Sequence, residues 1–241
     1  MRSHFVRCLS VVAAVSSILP CAGAQDEILI GEIHKTAPLL DGMGLFTHPV
    51  STSNPDAQRY FDQGMVLAFG FNHGEAARSF QQAQILDPNC AMAYWGEAWV
   101  LGPNVNAPMM PDAVAPAWKA LQKALEKFGS ASPRERDYIL ALAARYTAEP
   151  IDDRAPLDKA FADAMRTLAR KHPDDLDVQV IFAEAVMDTS PWHYWDDDGR
   201  PLEFTSEILT TLERVLARAP DHPQACHLYI HAVEKTHPEW A

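Results

Sequence analysis

The sequence predicts an all-α protein, and three observations lead to that prediction. Beyond about residue 54, apolar residues recur at spacings of three and four, the period of an amphipathic helix. Alanine, the strongest helix former, is abundant, and the apolar–polar alternation of half-buried strands does not occur. Proline-containing breaks divide the chain into segments of helix length.

Nine helical segments follow from these breaks. They cover residues 56–70, 74–86, 90–101, 112–128, 133–147, 156–171, 174–188, 203–218 and 222–235. Breaks such as Asp87-Pro88 and His172-Pro173 end helices because proline lacks an amide hydrogen and disfavours helix in the residue before it. Short turns between helices of this length favour antiparallel neighbours. Residues 25–55 are punctuated by Gly and Pro without a helical period, and we expect an N-terminal arm there.

The first 24 residues have the pattern of a secretory signal peptide. Arg2 and Arg7 precede an apolar run over residues 8–19, and Ala22 and Ala24 supply small side chains for cleavage after Ala24. The run is too short for a membrane anchor. We therefore expect a periplasmic or secreted protein.

The charge balance and the cysteines narrow the function classes. With 32 acidic and 20 basic residues the formal charge is −12, which argues against nucleic acid as a partner. No later segment approaches the roughly 20 apolar residues of a membrane span. After the signal peptide only Cys90 and Cys226 remain, too few for a disulfide scaffold. They could pair, stay free or bind a metal, although Cys90 is more typical of a small buried apolar residue.

An internal repeat decides the expected architecture. Residues 57–90 span 34 positions and resemble the tetratricopeptide repeat (TPR) at Tyr60, Gly64, Ala76, Phe80, Ala83 and Pro88. The small residues allow two helices to approach closely, the aromatic residues fill the space between units, and the proline ends the second helix. Weaker copies begin near residues 91, 134 and 176, with insertions at residues 102–111 and 189–201. The resemblance implies a right-handed TPR-like solenoid over residues 56–241, with about four helix pairs and an unpaired fifth-repeat helix. The alternative is an irregular helical bundle.

The strongest candidate site is on the last helical segment. His227 and His231 are four residues apart and Glu234 follows three later, so all three share one helical face. Two imidazoles and a carboxylate can ligate a divalent transition metal such as Cu, Zn or Fe. His73 and His48 are further candidate ligands, although each taken alone is more typical of a structural histidine. The alternative is that these histidines are polar groove residues or core residues bonded to carbonyls.

The repeat register also predicts a ligand groove. Trp95 and Trp99 lie seven and eleven residues after Pro88, as His227 and His231 do after Pro220. In TPR arrays these positions line the concave surface, so the resemblance implies a groove that binds a protein or peptide. The predicted groove residues are Trp95, Glu97, Trp99, Asn104 and Asn106.

Several further stretches resemble one group of exported bacterial TPR proteins of uncharacterised function. They are residues 47–52, 61–64, 69–73, 90–96, 101–104 and 227–234. Members of this group are longer, so the resemblance implies that this chain is an N-terminal portion of such a protein. It implies a fold but no reaction, and we identify no catalytic residue. The first hypothesis is therefore a scaffold that binds a partner through the groove, and the alternative is a metal-binding protein or metalloenzyme.

Overall fold

The computed structural model describes residues 37–240, and this range is all-helical, which confirms the predicted all-α class. Its nine α-helices are α1 Pro55–Phe69, α2 His73–Leu86, α3 Ala91–Val100, α4 Val114–Glu126, α5 Pro133–Ala143, α6 Ala155–Lys171, α7 Leu176–Met187, α8 Thr205–Arg218 and α9 Pro223–Val233. None of these helices is both long and apolar enough to cross a bilayer. The predicted signal peptide and the start of the predicted arm lie outside the described residues.

Each predicted helical segment contains most or all of one observed helix. The largest difference is at the end of α5, which stops at Ala143, whereas the prediction extends to residue 147. The amides of Ala144 and Arg145 donate to carbonyls three residues back, which tightens the last turn and ends the helix. The turn directs the Arg145 side chain into the interior, where it is 1% exposed.

Local capping explains where several helices begin. The Asn54 side chain accepts hydrogen bonds from two amides of the first turn of α1, and the Asp175 side chain accepts one from the amide of Val178 in α7. Ser132 and Glu135 form a reciprocal capping box at α5. Each such cap stabilises its helix by about 1 kcal/mol.

The odd-numbered helices form an inner ring. α1 contacts α3, α3 contacts α5, α7 contacts α9, and α9 returns to contact α1. The indole Nε1 of Trp95 on α3 donates to the carbonyl of Tyr138 on α5, whose hydroxyl donates to Asp175 at the start of α7. The first and last inner helices therefore meet, although about 160 residues of chain separate them.

The buried Phe80 ring shows how closely the helices pack. It lies against Gly64 on α1 and Gly96 on α3, and a Cβ atom at these glycines would lie only 2.6 Å and 2.5 Å from ring carbons. The predicted close approach at Gly64 is confirmed, and Gly96 is a second position where a side chain would collide with the same ring.

Candidate functional site

The loops that follow α1, α3, α5 and α7 meet at one end of the ring, here called the loop end. Asn104, after α3, contacts His73, which follows α1. Arg145, after α5, donates to the carbonyl of Pro103 and to Asp188, which follows α7. The two insertions expected from the sequence both lie here. Loops held by a rigid scaffold are where binding sites concentrate.

His227 and His231 on α9 face each other at the loop end. Their Nε2 atoms are 3.0 Å apart. The Nδ1 atom of His227 lies 2.7 Å from the Phe69 carbonyl oxygen, and that of His231 lies 2.8 Å from a carboxylate oxygen of Glu234. Carbonyl and carboxylate oxygens accept only, so both Nδ1 atoms donate.

The tautomers follow from these contacts. A neutral imidazole that donates through Nδ1 has its lone pair on Nε2. The two Nε2 lone pairs therefore point toward one another across 3.0 Å. This arrangement repels unless a cation, either a proton or a metal ion, lies between the two nitrogens. Acceptors on the far nitrogens are also what orient metal-binding histidines.

Two strained aromatic residues flank the histidine pair. The Phe71 ring centroid lies 4.3 Å from that of His227, and the Trp192 ring centroid lies 4.9 Å from that of His231. Phe71 has φ 57° and Trp192 has φ 63°, and they are the two non-glycine residues with positive φ in residues 37–240. Such backbone strain costs about 1–3 kcal/mol per residue and concentrates at functional sites.

His73 lies beside the pair but has both ring nitrogens engaged. The Asn104 amide nitrogen lies 3.1 Å from His73 Nδ1, while Asn104 Oδ1 accepts from the amide of Asn106, so Nδ1 of His73 is an acceptor. The ring also hydrogen bonds to the backbone of Ala68. Burial, with the nearby charge of Arg145, lowers the pKa of His73 to about 4. His73 is thus a neutral imidazole that supports the loop end through its hydrogen bonds, and its role as a metal ligand stays a prediction.

His48, a further predicted metal ligand, belongs to a different cluster and lies apart from the histidine pair. Its Nδ1 lies 2.5 Å from Asp177, and Nε2 of His222 lies 3.1 Å from the other oxygen of that carboxylate. Burial tends to raise the pKa of Asp177, but hydrogen bonds from His222 and His48 outweigh it and lower the value to about 2. The cluster ties the N-terminal segment to the starts of α7 and α9.

Glu234, the predicted third ligand, accepts from Nδ1 of His231, the ring nitrogen opposite the one that faces His227. Within residues 37–240 no group of three or more His, Cys, Asp or Glu side chains is placed to hold a metal ion. The structure thus brings four of the five predicted ligands to the loop end, and two of them present free lone pairs.

Cys90 and Cys226 are both free thiols, and burial raises the pKa of Cys90 to about 11.

The predicted groove residues do not line one surface. Trp95 and Trp99 stack on each other in the core and are 1% and 6% exposed. Both side chains are buried in the core and do not line an open groove. Glu97 accepts hydrogen bonds from Gln81 and Gln84 in a surface groove between α2 and α4.

The loop residues of the predicted groove have a different location. Asn104 and Asn106 lie together in the loop after α3, where Asn104 contacts His73. They belong to the loop end and are separate from the groove that contains Glu97. The five predicted groove residues are therefore divided among the core, the groove between α2 and α4, and the loop end.

A buried polar network lies between the inner helices near the loop end. Arg145 binds Asp188 at 2.5 Å, and Gln224 on α9 donates to Glu184 at 2.7 Å, one turn before Asp188 on α7. Side-chain atoms of Arg145, Asp188 and Gln224 are buried here without a hydrogen-bond partner among the described residues. Burial raises the pKa of Glu184 to about 8 and that of Asp188 to about 7, despite the guanidinium of Arg145 beside Asp188.

Sequence reasoning missed Phe71 and this network, and it did not connect Trp192 with the histidine pair. Gln224 precedes His227 by three residues and His231 by seven, so the shared face of α9 offered a signal for one member. No local pattern connects Arg145 with Asp188, because they are 43 residues apart and meet only through packing.

No family model, curated protein or solved structure matches the chain. The geometry of the loop end is therefore what supports a function.

Proposed function

We propose that this protein binds a divalent transition metal through the Nε2 atoms of His227 and His231. The observation that supports the proposal is the pair of converging lone pairs, 3.0 Å apart, each fixed by an acceptor on the opposite ring nitrogen. The sequence also predicted metal binding as an alternative function, with five candidate ligands. Two of these, His227 and His231, are the ligands proposed here.

The distance between the nitrogens fits one metal ion. With metal–nitrogen bonds of about 2.0–2.1 Å, two nitrogens lie about 2.9 Å apart at a right angle and about 3.3 Å apart at the tetrahedral angle. The observed 3.0 Å lies between these values. Cu, Zn and Fe all accept imidazole ligands in this range of angles.

The surroundings would hold a metal in a defined orientation. The Phe69 carbonyl and the Glu234 carboxylate fix the two imidazoles, as second-shell acceptors do in metal sites. Phe71 and Trp192 place apolar rings beside the pair. Two protein ligands leave coordination positions for water or an exchangeable ligand, which is typical of sites that bind and act on small molecules.

For the scaffold we propose a TPR-like array of helix pairs in an exported protein. The alternation of inner and outer helices supports the repeat, as does the packing of Phe80 against Gly64 and Gly96.

The pattern of residues 1–24 supports export. Amino-terminal sequencing of the protein from the periplasm or medium tests this: a start at Gln25 is expected, and a retained Met1 contradicts it.

Metal binding is tested on protein purified without a histidine tag. Equilibrium dialysis against Zn²⁺ or Cu²⁺, followed by elemental analysis, should find about one metal ion per chain. Isothermal titration should show the same stoichiometry. The His227→Ala/His231→Ala variant should lose this binding.

The matched control is His237→Ala. His237 is also near the loop end and faces an acidic residue, Glu239, at 3.4 Å. The His237→Ala variant should bind metal as the wild type does. If the wild type binds no metal, or the double variant binds it equally well, the proposal is wrong.

A further inference from the structure

The outer surface between α6 and α8 contains a groove that the metal site does not use. Its volume is about 790 Å³. Buried apolar side chains form its floor, among them Ala169, Phe182 and Val215. The rim of the groove is open to solvent and contains arginines of both helices.

Two of the four rim arginines are engaged and two are not. Arg166 donates two hydrogen bonds to Glu207, at 2.9 Å and 3.0 Å, and Arg218 lies 3.3 Å from Asp174. Arg170 and Arg214 are exposed and have no ion pair or hydrogen bond with any residue that the structure describes. The groove therefore presents two guanidinium groups above an apolar floor.

In two other grooves between helices a carboxylate is bound by neighbouring side chains. Between α2 and α4, Glu97 binds the amides of two glutamines. Beside α5 and α6, Asp137 binds both Lys171 and His172. In a chain of formal charge −12, a groove with uncompensated positive charge is a local feature that calls for a negatively charged partner.

We propose that this groove binds an acidic amphipathic helix of a partner protein. The residues of α8 that line it run from Ser206 to Arg218, which corresponds to about 18 Å, or about three helical turns. Apolar residues on one face of such a helix cover the floor, as in other helix-in-groove complexes. Carboxylates at its edges reach Arg170 and Arg214, whose planar guanidinium groups bind carboxylates with two hydrogen bonds.

The probe is a fluorescein-labelled synthetic amphipathic helix of about 14 residues, with leucines on one face and glutamates on both flanks. Its binding is measured by fluorescence anisotropy with protein up to about 0.2 mM, a concentration that detects weak complexes. A second peptide carries lysine at every glutamate position. The wild type should bind the glutamate peptide, and its affinity should fall as salt is added.

The test variant is Arg170→Gln/Arg214→Gln, which removes both charges from exposed positions. It should bind the glutamate peptide about tenfold more weakly, as expected when two exposed ion pairs are lost. The control, Lys119→Gln, removes a positive charge from the groove between α2 and α4 and should bind like the wild type.

Four results would overturn the proposal. They are no binding of the glutamate peptide by the wild type, equal binding of the lysine peptide, equal binding by the double arginine variant, and binding lost in the Lys119 control as well. Sedimentation velocity tests whether a second copy of this chain occupies the groove. Self-association that the double arginine variant abolishes would assign the groove to a dimer contact. Binding to anionic vesicles that the same variant abolishes would assign it to a lipid surface.

Discussion

Replacing Glu184 with glutamine should remove a specific pH dependence from the stability of this protein. Glu184 on α7 and Asp188, the residue that directly follows α7, are buried one turn apart, with Arg145 bound to Asp188. Burial and the mutual repulsion of the carboxylates raise the pKa of Glu184 to about 8. The folded protein therefore holds a proton that the unfolded chain releases above pH 4.5, the ordinary value for glutamate.

The sign and size of the effect follow from proton linkage. The contribution of this proton to stability is fully present below pH 4.5 and is lost as the pH rises through about 8. One proton changes the free energy of unfolding by about 1.4 kcal/mol per pH unit. The wild type should thus lose about 2 kcal/mol between pH 6.5 and 8. The variant keeps an oxygen that can accept from Gln224 and has no proton to lose at position 184, so its stability should fall less. Only the proton of Asp188, whose pKa burial raises to about 7, is still lost as the pH rises.

Urea denaturation at pH 6.5 and pH 8, followed by circular dichroism, measures these free energies. The control is Glu203→Gln, which neutralises an exposed carboxylate and should keep the wild-type slope. The reasoning is refuted if Glu184→Gln loses stability with rising pH as steeply as the wild type does. A loss of the slope in the Glu203 control would refute it equally.

Three further substitutions test the packing and the separation of the two histidine clusters, all by urea denaturation. Gly96→Ala should destabilise by about 2 kcal/mol because its methyl collides with a buried ring, whereas Gly129→Ala, which has open space, should not. Trp95→Ala should cost about 3–5 kcal/mol as a core residue, and a change below about 0.5 kcal/mol would restore its groove role. His48→Ala should cost about 1–3 kcal/mol and leave metal binding at His227 unchanged, and impaired binding would contradict two separate clusters.

Much of the fold was predictable because its determinants are local. Hydrophobic period, proline breaks and capping residues act within a few positions, so each α-helix in residues 37–240 overlaps a predicted helical segment. The face shared by His227 and His231 is equally local, since helix geometry alone brings positions four apart together. Gly64 and Phe80 belong to neighbouring helices of one helix pair, so the spacing within that pair also predicted a close approach at Gly64.

The tertiary structure decided which residues meet across the ring. Packing between helices that are far apart in the sequence is not recorded in any local pattern. This packing brings the Phe69 carbonyl to His227 and places Phe71 beside the histidine pair. It also puts Trp95 in the core and His48 with Asp177. The sequence by itself determined the helices and the two imidazoles on one face, whereas the closure of the ring determined what surrounds those imidazoles.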